Sequence, residues 1–317
     1  MRAREPLVVW LLFAVVALEI VVTYSRLPAS ELYHVTGSGV LGGLSRVLVF
    51  LNFPVALAAI ATLAVCYERL PGRGWRVFAV VAALLSALVF WPGVVSQADL
   101  DARWVNVPAA VGVALAAAVT LSAQAVAVPA VVGDRVRLAL ATLALLAAPA
   151  WLAAELGFFL DGVPLLGRLY LSGEYMKQRA GLPPFPPAVH HGHHHGLDGV
   201  LLVTASLLLS RLLPTIRGRG LRQATAAYLA LMLAYGFGNV ANDFWLEQVV
   251  RRRWTSWSVP SVLSPQLTWA WGLVVAAAIV IWLVWFRGES GGLVVLGRPP
   301  APPPPAVGGW RRGPGRR

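Results

Sequence analysis

The sequence predicts an all-α, polytopic integral membrane bundle of about eight transmembrane helices. Of its 317 residues 58% are hydrophobic and only 13% charged, with a mean hydropathy of +0.69. Soluble domains carry roughly 25% charged residues, so an aqueous fold of this length lacks the charge to cover its surface. The apolar residues also fall in runs of about 18 or more, the length a helix needs to cross the hydrocarbon core.

In chain order the expected spans are Leu7–Tyr24, Val47–Tyr67, Trp75–Val95, Val105–Val131, Val136–Leu160, Leu197–Leu213, Leu221–Leu246 and Leu267–Phe286. Arg2 and Arg4 precede the first run as in a signal peptide, but the run is long, contains Glu19 and lacks a small-residue cleavage pattern. A retained signal anchor is expected. The one long connection, residues 161–196, is rich in Pro, Gly and His. Residues 1–287 are therefore read as the bundle. Residues 288–317, with the polyproline-like run Pro299–Pro305, are read as a disordered cytoplasmic tail. Arginines in that tail suit anionic headgroups, or simply water.

Orientation follows from the basic residues. With both termini in the cytoplasm, 17 of the 26 Lys and Arg fall on the cytoplasmic side, as the positive-inside rule requires. The long connection then lies outside. The net charge of +12 would suggest nucleic acid in a soluble protein. Here the arginines sit between apolar runs, so the expected partner is the lipid bilayer and not nucleic acid. Cys66 is the single cysteine, which excludes an internal disulfide and a multi-thiolate metal site. Ala- and Val-rich runs, with Lys177 the sole lysine, fit a GC-rich bacterial genome and hence a bacterial plasma membrane.

Five of the six histidines fall together: His190, His191, His193, His194 and His195. Neutral imidazole is the commonest nitrogen ligand for transition metals, and short His tracts capture them. The expected cofactor is a divalent transition metal: zinc, iron or copper, with manganese also suited to mixed carboxylate and imidazole ligation. Consecutive residues rarely all reach one ion, so two or three would belong to an ordered site. The plainer alternatives are a flexible tract that binds metal adventitiously and, for Asp198, a helix-start acid.

Acids and amides in the outer halves of the spans raise the metal reading, because ionisable groups inside a membrane usually face the bundle interior and mark function. Glu19 and Glu155 lie near the outer ends of the first and fifth runs. Tyr235, Asn239, Asp243 and Glu247 follow at intervals of four along the seventh, which places them on one helical stripe. The expected site is an outer-face cavity in which two or three of the histidines and Asp243 hold the metal. Glu155 and Asp243 are its catalytic carboxylates, and Asn239 and Glu19 contact substrate. The plainer alternative pairs these acids with Arg26, Arg46, Arg168 or Arg251–Arg253, and makes the asparagines interhelical bridges.

Arg251, Arg252 and Arg253 run against the orientation rule and precede Trp254 and Trp257. Tryptophan suits the headgroup layer, and arginine forks there suit an anionic lipid-like substrate. The letters Gly37–Gly42 match G-x-G-x-x-G, but no βαβ unit surrounds them; close helix packing or a flexible loop is enough. Three classes of function remain: a metal-dependent enzyme acting on a lipid or lipid-linked substrate, a metal- or proton-coupled transporter, and a non-catalytic subunit that docks a partner through its outer loop.

Overall fold

The computed structural model describes residues 4–96, 99–124, 126, 128, 131–173, 188–192 and 194–289. The expected tail and most of the Pro-rich part of the long connection lie outside the described residues. So does His193. Every element among the described residues is helical, and their one β pairing is an isolated bridge between Leu32 and His191.

Among the described residues six helices are long and apolar enough to cross a bilayer: α1 Arg4–Arg26, α2 Gly39–Arg69, α3 Gly72–Phe90, α4 Trp104–Leu121, α8 Arg219–Val250 and α9 Trp269–Phe286. The chain reads as an integral membrane protein. The expected fifth run is broken into α5 Asp134–Ala147 and α6 Pro149–Glu155, bent by 59°. Pro149 explains the break, since it lacks an N–H and its ring clashes with the preceding turn. The expected sixth run forms α7, His195–Ser210, only 16 residues long and buried along almost all of them. By length and composition the count among the described residues is therefore six, or seven with the bent pair as one span; the shorter α7 falls below the spanning length, so the expected eight is not reached on this criterion.

Burial separates the helices into two sets. In α2 and α8, 61% of the most apolar stretch is buried, against 22% in α3 and α9. Helices α2 and α8 are central, while α3 and α9 turn apolar side chains such as Leu84, Leu273 and Val284 outward. Exposed apolar faces of this kind suit hydrocarbon. Helix α2 starts at Gly39, well before the expected Val47, because Gly43 lets it lie against α1. A Cβ at Gly43 would sit 2.8 Å from the Val21 carbonyl oxygen. Within Gly37–Gly42 itself, the tight contact is local, a Cβ on Gly42 lying 2.7 Å from the Gly37 carbonyl oxygen.

Two features position the polar side chains near the end of α8. Helices α7 and α8 pack most extensively of all pairs. They touch backbone to backbone, since a Cβ on Gly199 would meet the Gly236 carbonyl oxygen at 2.5 Å. Small residues permit such approach in membrane bundles. Helix α8 also changes winding near its end, passing from α-helix at Phe244 to a π-helical turn over Trp245–Val250. At the opposite end of the bundle, Arg211 donates to Glu5 at 2.6 Å and to Asp134 at 3.1 Å, tying α1 and α5 to the end of α7.

Candidate functional site

The stripe on α8 is where the site begins. In an α-helix a step of four residues overshoots a full turn by roughly 40°, so the stripe Tyr235–Asn239–Asp243 drifts sideways. The wider π turn after Phe244 reverses that drift, and π turns recur at functional sites. Asp243 and Glu247 consequently point the same way. The Gly199–Gly236 contact brings the start of α7 against them, and His194 joins the two carboxylates. Ligand atoms of His194, Asp243 and Glu247 all lie within 4.8 Å of one another.

Each of the three is oriented by a partner outside the group. The His194 Nε2–H donates to the His190 carbonyl at 2.8 Å, which fixes the tautomer and turns Nδ1 toward Glu247 Oε1 at 3.3 Å. Glu247 Oε2 accepts the indole N–H of Trp151 at 2.6 Å. Asp243 Oδ2 accepts the backbone N–H of Gly196 at 2.6 Å. Ligand carboxylates and imidazoles in metal proteins are held in this manner, through the atom that does not coordinate.

The group forms part of the wall of a polar cavity of about 310 Å³, bordered also by Tyr33, Arg46, His190, His195, Asn239 and Arg251. His190 is sandwiched between the Tyr33 and His194 rings, with centroids 4.2 and 4.0 Å away. Burial and the neighbouring His194 hold its pKa well below the ordinary histidine value of 6.5. Burial lowers that of His191 too. At His194 burial works in the same direction, but the Glu247 carboxylate, its hydrogen bond and Asp243 outweigh it and raise the pKa. His195 opens α7, with Nδ1 3.6 Å from Asp198 Oδ2.

The expected site residues separate clearly. His194, Asp243, His190, His195, Asn239 and Arg251 border one cavity. His191 does not; its ring stacks on Phe159 at 4.1 Å. Glu155 is fully buried at the end of α6, and neither it nor Glu19 borders the cavity. The carboxylate beside Asp243 is Glu247, which shares its helix, whereas α6 supplies Trp151, one turn before Glu155. Arg252 reaches the Leu169 carbonyl at 2.7 Å and lies over the Trp254 ring. Arg253 sits exposed in the turn with a φ of 64°. Of the three arginines only Arg251 borders the cavity. For the two acids of the group the plainer arginine pairing does not occur: among the described residues Glu247 is bridged to His194, and Asp243 accepts from Gly196.

Sequence reasoning placed Glu247 on the stripe without a role, and it missed Trp151 and Tyr33. Nothing local marks a tryptophan on another helix as a carboxylate's partner. No family model, curated protein or solved structure matches the chain.

Proposed function

We propose that the chain is a metal-dependent membrane enzyme acting on a lipid or lipid-linked substrate, with His194, Asp243 and Glu247 as the metal-holding set. One observation carries this reading: a buried imidazole and two carboxylates converge at a cavity wall, each fixed through its other polar atom. One nitrogen and two carboxylate donors, with no thiolate or thioether among them, favour zinc, iron or manganese over copper(I). A divalent ion held there supplies Lewis acidity and eases ionisation of a water molecule.

The chain's own groups supply the remaining parts. His195 borders the same cavity, with Asp198 Oδ2 3.6 Å from its Nδ1. An imidazole at the cavity wall is the proposed proton acceptor of the reaction. Asn239, buried at the cavity edge, donates to the Tyr235 carbonyl at 3.0 Å and is the proposed contact for a polar substrate group. Among the described residues, the buried interior of α7 and α8 between the cavity and the Arg211 cluster is mostly apolar, with Leu202, Leu229 and Leu233 fully buried and the hydroxyls of Ser206 and Thr225 bonded to carbonyls of their own helices. That disfavours a transporter, which needs ionisable groups through the full membrane depth.

A second reading has a specific observation behind it. The His194–Glu247 contact at 3.3 Å is also the geometry of a plain buried ion pair that only holds α7 against α8. Metal analysis of detergent-purified protein separates the two. The enzyme reading expects near-stoichiometric metal in the wild type, lost in Asp243→Asn and in His194→Gln. Equal trace metal in all three proteins would leave only the ion pair.

A further inference from the structure

Arg46 is a buried charge that the packing of the helices leaves unexplained. It sits on α2 inside the bundle, only 4% exposed, and borders the polar cavity. Among the described residues no hydrogen bond or ion pair reaches its guanidinium, and its Nε is buried with no partner. Its one contact of note is the Tyr24 ring, 6.0 Å away. A buried charge with no counter-ion costs several kcal/mol, and in membrane proteins such charges pair with something. Arg251, bordering the same cavity from the end of α8, likewise has a buried Nη1 with no partner.

A second cavity, of about 430 Å³, lies next to the polar one. Its walls are mostly apolar, with Phe53, Leu57, Leu231 and Trp271 among them. The two cavities share Leu263 as a wall. Phe53 of the apolar cavity stands 6.3 Å, ring to ring, from His195 of the polar one. Two arginines on one cavity wall beside an apolar chamber suit an anionic amphiphile.

Resting on the metal reading, we propose that Arg46 and Arg251 bind the phosphate of a lipid phosphate monoester whose hydrocarbon chain occupies the apolar cavity. Charge selects the headgroup. A divalent cation is neutralised by Asp243 and Glu247, which leaves two guanidinium charges facing the cavity. A phosphate monoester carries about −1.5 to −2 at pH 7, whereas a carboxylate leaves one arginine unbalanced. Planar guanidinium forks also match phosphate oxygens in pairs.

The test uses full-length protein in neutral detergent, loaded with zinc, and titrated calorimetrically with dodecyl phosphate and separately with inorganic phosphate. Dodecyl phosphate is expected to bind the more tightly, and Arg46→Gln and Arg251→Gln are each expected to weaken it at least tenfold while zinc content stays unchanged. Leu231→Trp, which fills the apolar cavity, is expected to weaken dodecyl phosphate and leave inorganic phosphate as it was. Arg46→Lys keeps the charge without the fork and provides a second folded variant, expected to bind with intermediate affinity. Binding of dodecyl phosphate that survives both glutamine variants overturns the proposal. So does inorganic phosphate binding as tightly as the alkyl ester, which marks a site for the free anion. A wild type that takes up none of zinc, iron(II) or manganese refutes the metal reading, while metal-loaded protein that ignores dodecyl phosphate refutes this proposal alone.

Discussion

The indole N–H of Trp151 donates to Glu247 Oε2 at 2.6 Å, which joins the short helix after the Pro149 break to the π turn of α8. The bond occupies one carboxylate oxygen and leaves the other facing His194. Residues 96 positions apart in the chain thereby set the aim of one candidate ligand.

Trp151→Phe keeps most of the ring volume and removes the donor. Loss of such supporting bonds typically costs 10–100-fold in metal affinity. Zinc affinity is expected to fall by about tenfold or more, with the thermal midpoint of the metal-free protein lowered only modestly. Competition with a chelator of known affinity measures it, and unchanged affinity would show that Glu247 is not a ligand.

His191 stacks on Phe159 away from the cavity, whereas His194 belongs to the three-residue group. His191→Gln should therefore leave metal content unchanged and His194→Gln should abolish it. If the two variants lost metal equally, the histidine tract would be binding ions collectively, as a flexible tag does.

The buried histidines give metal-free protein a pH dependence whose sign can be worked out. Burial depresses the folded-state pKa of His190 and His191, so below about pH 6.5 the unfolded chain binds more protons than the folded one. Their contribution is present above about pH 6.5 and lost on acidification. His194, raised in the folded state by Glu247, contributes below about pH 6.5 and loses that contribution as pH rises through its folded value. Thermal midpoints measured from pH 5 to 8 should fall on the acid side in the wild type and fall less in His190→Gln. An acid limb of equal steepness in that variant would assign it to other groups.

Gly199 has no room for a side chain, since its Cβ would meet the Gly236 carbonyl oxygen at 2.5 Å. Gly199→Ala must push α7 from α8, an overpacking cost of about 1–3 kcal/mol. It should also pull His194 from Asp243 and Glu247 and lower metal affinity. Melting curves with and without zinc check both effects. Wild-type behaviour in both would mean that the helices yield without disturbing the group.

Much of the fold was readable along the chain. Apolar runs follow from the energetics of the hydrocarbon core, which acts on each segment separately, so all eight were visible as helix even where they proved too short or broken. The fourfold spacing of Asn239, Asp243 and Glu247 is a local helical property, and it placed two of the three candidate ligands on one face. The histidine tract was visible as well, but not which of its members turns inward.

The amino-acid order by itself determined a membrane-embedded helical bundle with one stripe of polar groups, because hydropathy and helical period are properties of single segments. Only the packing of α7 on α8 through Gly199 and Gly236 selected His194 from its neighbours. Only the bend before Pro149 brought Trp151, rather than Glu155, to Glu247. Only the approach of α1 and α2 left Arg46 buried with Tyr24 and facing the cavity. These outcomes depend on contacts between segments far apart in the chain, where sterics at a few small residues decide which side chains meet, and no periodicity within one helix encodes that choice.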